Sequence, residues 1–414
     1  MADRPSQSHP NQFPDWADLK GAYRFFDHPE VTVKAILAPH TKNTLELCAE
    51  HPVVLAIQDD THLSGRINRE VHTTLAVLPD GDCLGILDLH PFKHVVVPSC
   101  ETRAQRQQRW RESLVWSDAV DAIGPVPEGT RLIHVADRAA DNFELFEICA
   151  RRGVGLVVRA HHDRRVVGEE GEKLWDKMAA QQLSGKRTVT ASTQRNVRGF
   201  IVRKPRVIKL EIRFATVEMQ VPWNHPGKHS PHTLQVIYAS EANPPKGEEA
   251  IDWLLLTNEP VNSLEDAEKI LGYYEHRWKI EEWHRVLKEG CGVEKANFDD
   301  PENYLRRAAV LAVVAVRLMQ LRDLADTGKP IAQDPKALCK WLPKLWRTVA
   351  AKLLKIPLAE LTPRQFLLLV AKRGGYIGRN SDPRPGMKVL WRGWFAFHLL
   401  VQGASLFKHD NPSG

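Results

Sequence analysis

The sequence predicts an α/β fold built on a mixed sheet, with a β-rich insertion and an α-helical C-terminal region. Three observations carry this. Up to residue 160, short apolar runs and helical runs follow one another as three strands, helix, strand, helix, strand. From 161 to 260 a period of two dominates, which is strand patterning. From Ser263 onward the period becomes helical. With 414 residues, 43% of them hydrophobic, the chain is long enough for two or three domains and a sizeable core.

Residues 1–15 are polar and proline-rich and are expected to lack order. Residues 16–50 read as helices, with Pro29 and Pro39 as boundaries. Val53–Ile57 is a continuous apolar strand that stops at Asp59-Asp60. Thr73–Leu78 and Cys83–Leu89 form a hairpin around Pro79-Asp80-Gly81-Asp82. Arg103–Val115 reads as a basic helix, Leu132–Ala136 as a strand ending at Asp137, Asn142–Arg151 as a helix and Val154–Arg159 as a strand. That order fits an RNase H-like core over 51–160 and 261–325. The insertion, 161–260, carries strands at Val197–Val202, Val207–Val217, Leu234–Tyr238 and Trp253–Leu256. Ser263–Glu289 reads as one long helix, opened by a Ser263/Asp266 capping box and stopped by Gly290 and Gly292. Pro301–Leu324 is a second, apolar helix. Region 326–414 is helical and, over 334–402, rich in tryptophan (Trp341, Trp346, Trp391, Trp394).

Composition narrows the class. A formal charge of +6 and a pI of about 8.9 permit a polyanionic partner. Eight basic residues and no acid fall between Lys186 and Lys209 (Lys186, Arg187, Arg195, Arg198, Arg203, Lys204, Arg206, Lys209). Alone they read equally well as a solvated strand face or a phosphate-tracking surface; beside a nuclease site the second is expected. Six scattered cysteines without a CxxC pair argue against a zinc ribbon or disulfide framework, and for reduced, buried thiols. The N-terminus has no apolar signal core, and the longest apolar stretch, Ala308–Val316, is too short to span a bilayer. No membrane partner and a cytoplasmic location are expected.

Four residues carry the chemistry: Tyr274, Arg277, Glu281 and Lys288, spaced by three, four and seven. On a helix turning about 100° per residue they fall within roughly 60° of Tyr274. Ile280, Trp283, Val286 and Leu287 take the other side. One carboxylate, two cations and a phenol on one stripe suit a surface that holds a metal and grips phosphates. In-line displacement at a phosphodiester uses two divalent ions about 3.5–4 Å apart. Mg2+ keeps several waters and asks for few carboxylates; Mn2+ fits similar ligands. Asp59 and Asp137 each end an apolar strand, where a lone aspartate is usually a turn residue. If those strands are neighbours, both carboxylates emerge at one sheet edge, and Glu281 is the third ligand of two Mg2+ ions.

The spacing Tyr-x2-Arg-x3-Glu-x6-Lys, within YYEHRWKIEEWHRVLK, resembles the signature of bacterial DDE transposases of the IS-four family, Tn-five-like branch. AIQDDTHLS, VADRAADNFELF, EANPPKGEEAIDWLLLTNEP and DPENYLRRAAVLAVVAVRLMQLRDLA are similar too, in the same order, and PGMKVLWRGW gives a weaker echo. The resemblance implies metal-dependent cleavage at transposon ends, hairpin formation and strand transfer. It implies double-stranded DNA (inverted-repeat ends and target) as partner, and a homodimer paired through the C-terminal helices. Asp59, which precedes Thr61 and Leu63-Ser64, resembles the first catalytic aspartate. Asp60 is its rival, and strand alternation puts the two on opposite faces. Asp137 resembles the second aspartate and Glu281 the glutamate. Tyr274, Arg277, Lys288 and Arg159 resemble phosphate-holding residues. Trp253 resembles an aromatic that stacks on a flipped base; otherwise it is a core tryptophan. GAYRFFDHPEV resembles the tail of the family's end-recognition domain, so 16–50 reads as a helical remnant with most of that domain missing. That shortness leaves a rival, a truncated DNA-binding inhibitor of a full-length transposase. A stand-alone RNase H-like nuclease is the other; it needs neither the insertion nor Trp253.

Overall fold

Asp59 and Asp60 do not end the first strand. In the computed structural model, β1 runs over Val53–Leu63, and both aspartates lie inside it. The structure describes residues 9–13, 15–64, 69–97, 100–102, 105, 109–168, 171–191, 194–195, 201–222, 231–246, 248, 250–295, 298, 300–323, 342–379, 382 and 384–406. The other strands are β2 Arg69–Val77, β3 Cys83–Phe92, β4 Arg131–Ala136, β5 Gly155–Arg159, β6 Gly185–Ala191, β7 Gln194–Arg195, β8 Ile201–Arg203, β9 Arg206–Met219, β10 His232–Glu241 and β11 Asp252–Thr257. Among the described residues they form a nine-stranded mixed sheet in the order β3-β2-β1-β4-β5-β11-β10-β9-β6, with β7 and β8 paired apart. β4 lies parallel to both β1 and β5; the pairs from β5 through β11, β10 and β9 to β6 are antiparallel. The fold is therefore α/β, with an RNase H-like core and a helical C-terminal region. Val54–Ile57 and Leu156–Val158 are buried without alternation, as strands covered on both faces require. The strands of the 161–260 run continue this sheet from β5.

The chain divides into two compact units: Met1–His51, Asp60–Lys93 and Lys279–Gly414 in one, Pro52–Asp59 and His94–Trp278 in the other. In the first, helices Val33–Cys48 and Pro301–Arg322 are stitched to β3. His40 Nε2 accepts from the Ile86 amide at 3.0 Å, and Gln320 Nε2 donates to the carbonyls of Cys83 and Leu84. Burial holds His40 down to about 4, so it stays neutral. A Cβ at Gly85 would lie 2.1 Å from Thr44 Oγ1, so only glycine lets the strand pass. The C-terminal part forms helices Lys344–Leu354, Pro363–Arg373 and Met387–Leu406, with the Trp346 and Trp394 rings tilted at 41° and their centres 4.5 Å apart. Residues 334–341, with Trp341, lie outside the described residues.

Several expectations need correcting. Pro39 lies inside helix Val33–Cys48. The buried Leu37, His40, Thr44 and Leu47 hold that helix together although proline removes one of its hydrogen bonds. Residues 1–8 and 14 lie outside the described residues, and His9–Gln12 is a helical turn. A helix, Val115–Ile123, follows where the expected basic helix was to end. Of that expected helix, residues 103, 104 and 106–108 lie outside the described residues. Cys48, Cys83, Cys149 and Cys291 are buried and their thiols pushed up to about 12, but Cys100 is exposed.

The basic segment also changes meaning. Lys186 pairs with Glu211, Arg187 with Glu275, and Arg206 with Glu241 and Glu248. These pairs neutralise charges that the sequence offered to phosphate. Lys204 and Lys209 are exposed, Arg198 lies outside the described residues, and the side chains of Arg195 and Arg203 are not described.

Candidate functional site

The site begins with strand register. β1 and β4 run parallel with Val53 against Arg131 and Ile57 against Val135. Carried on by two residues, the same offset sets Asp59 beside Asp137. β4 and β5 pair with Ala136 against Val158, so the next step sets Asp137 beside Arg159, and Arg159 lies against Leu255 of β11. Asp59, Asp137 and Arg159 thus stand at matching offsets just past the paired residues of three neighbouring strands. Alternation puts their side chains on one sheet face, and the register Ala239–Trp253 and Ile237–Leu255 puts Trp253 on that face too.

Helix Leu264–Glu275 supplies the next groups. Ser263 and Asp266 cap it reciprocally, as the sequence indicated. It does not continue to Glu289. The amides of His276 and Arg277 turn back to the carbonyls of Tyr273 and Tyr274, and a new helix, Trp278–Arg285, begins. A π-helical turn follows over Val286–Gly290, closed by the Cys291 amide on the Val286 carbonyl at 2.8 Å. The stripe drawn on one straight helix is therefore broken twice, and π turns recur at functional sites.

At the first break, Arg277 Nη1 reaches Asp59 Oδ2 at 3.3 Å. Tyr274 is buried, and its hydroxyl is hydrogen-bonded to Arg159. Burial raises the phenol and lowers the guanidinium. Arg159 Nη2 also donates to the Asp252 carbonyl at 2.6 Å, and Trp253 meets Tyr274 edge-on at 5.6 Å. Asp252 lies on the opposite sheet face; burial raises its carboxyl against the pull of Arg159 and Arg138. Asp137 caps the short turn Arg138–Ala140 by accepting from the Ala139 amide at 2.9 Å. Asp60 points the other way and meets the buried Nδ1 of His72 at 2.5 Å.

Asp59, Asp137, Arg159, Trp253, Tyr274 and Arg277 thus belong to one compact unit, while Glu281 and Lys288 belong to the other. Glu281 is part-exposed in the first turn of helix Trp278–Arg285. Lys288 lies in the π turn, its Nζ 4.0 Å from Glu294 Oε1, which also accepts from the Ser64 amide and hydroxyl. Sequence reasoning missed Glu294, Asp252 and Arg138. None stands in a spacing pattern, and Arg138 is visible only as the neighbour of Asp137.

The carboxylates of Asp59 and Asp137 are hard oxygen donors of the kind that Mg2+ or Mn2+ takes, while the Arg277 guanidinium meets the charge of Asp59 in the chain as it stands. Residues 1–31 match the family model for transposase DNA-binding. The match supports transposase-related DNA binding. Within that segment, helix Trp16–Asp27 exposes Trp16, Tyr23 and Phe25 beside Lys20 and Arg24. Among the described residues, no helix is long and apolar enough to cross a membrane.

Proposed function

We propose that the chain is a DDE transposase of the IS-four family, Tn-five-like, acting on double-stranded transposon ends as a homodimer. The reading is supported chiefly by the placement of Asp59, Asp137 and Arg159, two carboxylates and a guanidinium at matching offsets where the registers of β1, β4 and β5 run out. Asp59 and Asp137 are the metal-holding aspartates. His72 holds Asp60 on the other face, which favours Asp59 over its neighbour. Glu281 enters through the signature spacing, as the third carboxylate. Bound by these groups, Mg2+ or Mn2+ supplies positive charge to the attacking and leaving oxygens of the phosphodiester.

The chain's own residues then divide the work. Arg159 offers a guanidinium to phosphate oxygens, and Tyr274 holds it in place from beneath. Arg277 neutralises Asp59 in the free protein and turns to phosphate when DNA binds. Lys288 adds a further phosphate contact. Trp253, half-buried against Tyr274, presents a ring on which an extruded base stacks. The reaction is water-driven cleavage of one strand at the transposon end. Attack by the freed 3′ hydroxyl on the opposite strand forms a hairpin, which is reopened before strand transfer.

The test is Mg2+-dependent cleavage of pre-nicked end DNA by the wild-type chain and by Glu281→Ala. Loss of about 10²–10³-fold is expected in the variant. Equal rates would remove Glu281 from the site.

A further inference from the structure

Four residues beyond Asp137, a second acid is buried with no assigned role. Asp141 has a fully buried side chain, and its charge is met from three directions. Oδ2 accepts from the amides of His161 and His162, at 2.7 and 2.9 Å. Oδ1 accepts from Arg164 Nη1 at 2.5 Å, while Arg164 Nη2 donates to the Asp141 carbonyl. The Arg164 guanidinium lies over the Phe143 and Phe146 rings, at 4.9 and 5.6 Å.

These contacts join two turns beside Asp137 and Arg159. Asp141 ends the short turn that Asp137 caps. His161 and His162 follow Arg159 where β5 ends. β4 and β5 are neighbours up to Ala136 and Val158, so their exits leave the sheet side by side. One carboxylate bonded to both exits fixes how the Asp137 oxygens face the Arg159 guanidinium. A surface ion pair would not; a buried, triply bonded carboxylate in low dielectric holds its partners rigidly.

We propose that Asp141, locked by Arg164, is a positioning residue that sets Asp137 against Arg159 at the metal-holding end of the sheet. The proposal rests on the reading of Asp137 as a metal ligand. Groups that orient a ligand typically change metal affinity by about 10–100-fold when altered.

Mn2+ binding to the whole chain, followed by electron paramagnetic resonance of the free ion, tests this without turnover. Asp141→Asn keeps the shape and removes the charge. It is expected to weaken Mn2+ binding about tenfold. Ile148→Ala, a buried truncation in helix Phe143–Arg152, controls for lost stability and is expected to bind as wild type does. Arg164→Lys keeps the charge but loses the planar fork, and is expected to fall between; it carries the test if Asp141→Asn does not fold. Wild-type affinity in a folded Asp141→Asn or Arg164→Lys, with affinity lost in Asp137→Asn, overturns the positioning role alone. Wild-type affinity in Asp137→Asn overturns the ligand assignment and the positioning role with it.

Discussion

Asp59→Asn is expected to lower metal-dependent cleavage of end DNA by about 10³-fold, whereas Asp60→Asn stays within about tenfold of wild type. The two residues are adjacent, and only the direction of the side chain separates them. Asp59 shares a face with Asp137 and Arg159 and meets Arg277. Asp60 meets His72, which is fully buried. Asparagine keeps the outline of aspartate and removes the negative charge, so it tests for charge at the metal. Asp60→Asn instead weakens a charge-assisted hydrogen bond, with an expected stability loss of about 1–3 kcal/mol. Cleavage rates for the two variants, normalised to folded protein by circular dichroism, decide the matter. Greater loss in Asp60→Asn would reverse the assignment.

Trp283→Ala is expected to destabilise the chain by about 3–5 kcal/mol. Trp283 is completely buried, two positions beyond Glu281. Its indole Nε1 lies 3.4 Å from the Ala312 carbonyl in helix Pro301–Arg322. Along that helix Ala308, Ala309, Ala312 and Ala315 are buried, small residues that leave room for a large ring. Truncation removes the ring and leaves a cavity that the packed helix cannot close. Trp278 makes the contrast: it is 55% exposed, with Arg277 5.1 Å from its ring centre. Trp278→Ala is expected to cost no more than about 1 kcal/mol. Urea unfolding of both variants measures the difference, and equal midpoints would contradict the packing described for Trp283.

The strands were legible because burial on two faces leaves unbroken apolar runs, as in Val53–Ile57, and because the Pro79–Asp82 turn declares its hairpin. The turn carries Gly81 at a φ of 93°, and Leu78 donates to the Asp82 carbonyl. What stayed hidden depended on distant partners. Asp59-Asp60 looks like a stop, yet β1 continues because Arg277 and His72 meet the two charges. Glu275-His276-Arg277 holds no glycine or proline, so nothing local announces the turn there. The cations of Lys186–Lys209 looked available because Glu211, Glu241, Glu248 and Glu275 lie outside that window. Nothing local sets Asp141 apart, since burial and Arg164 are tertiary facts.

An experimental structure of the chain grown with Mn2+, examined by anomalous scattering, addresses the carboxylate set most directly. The expected map has manganese peaks at about 2–2.5 Å from carboxylate oxygens of Asp59, Asp137 and Glu281. Manganese bound elsewhere, with no peak at Asp59 and Asp137, would contradict the assignment of this chain as a metal-dependent transposase.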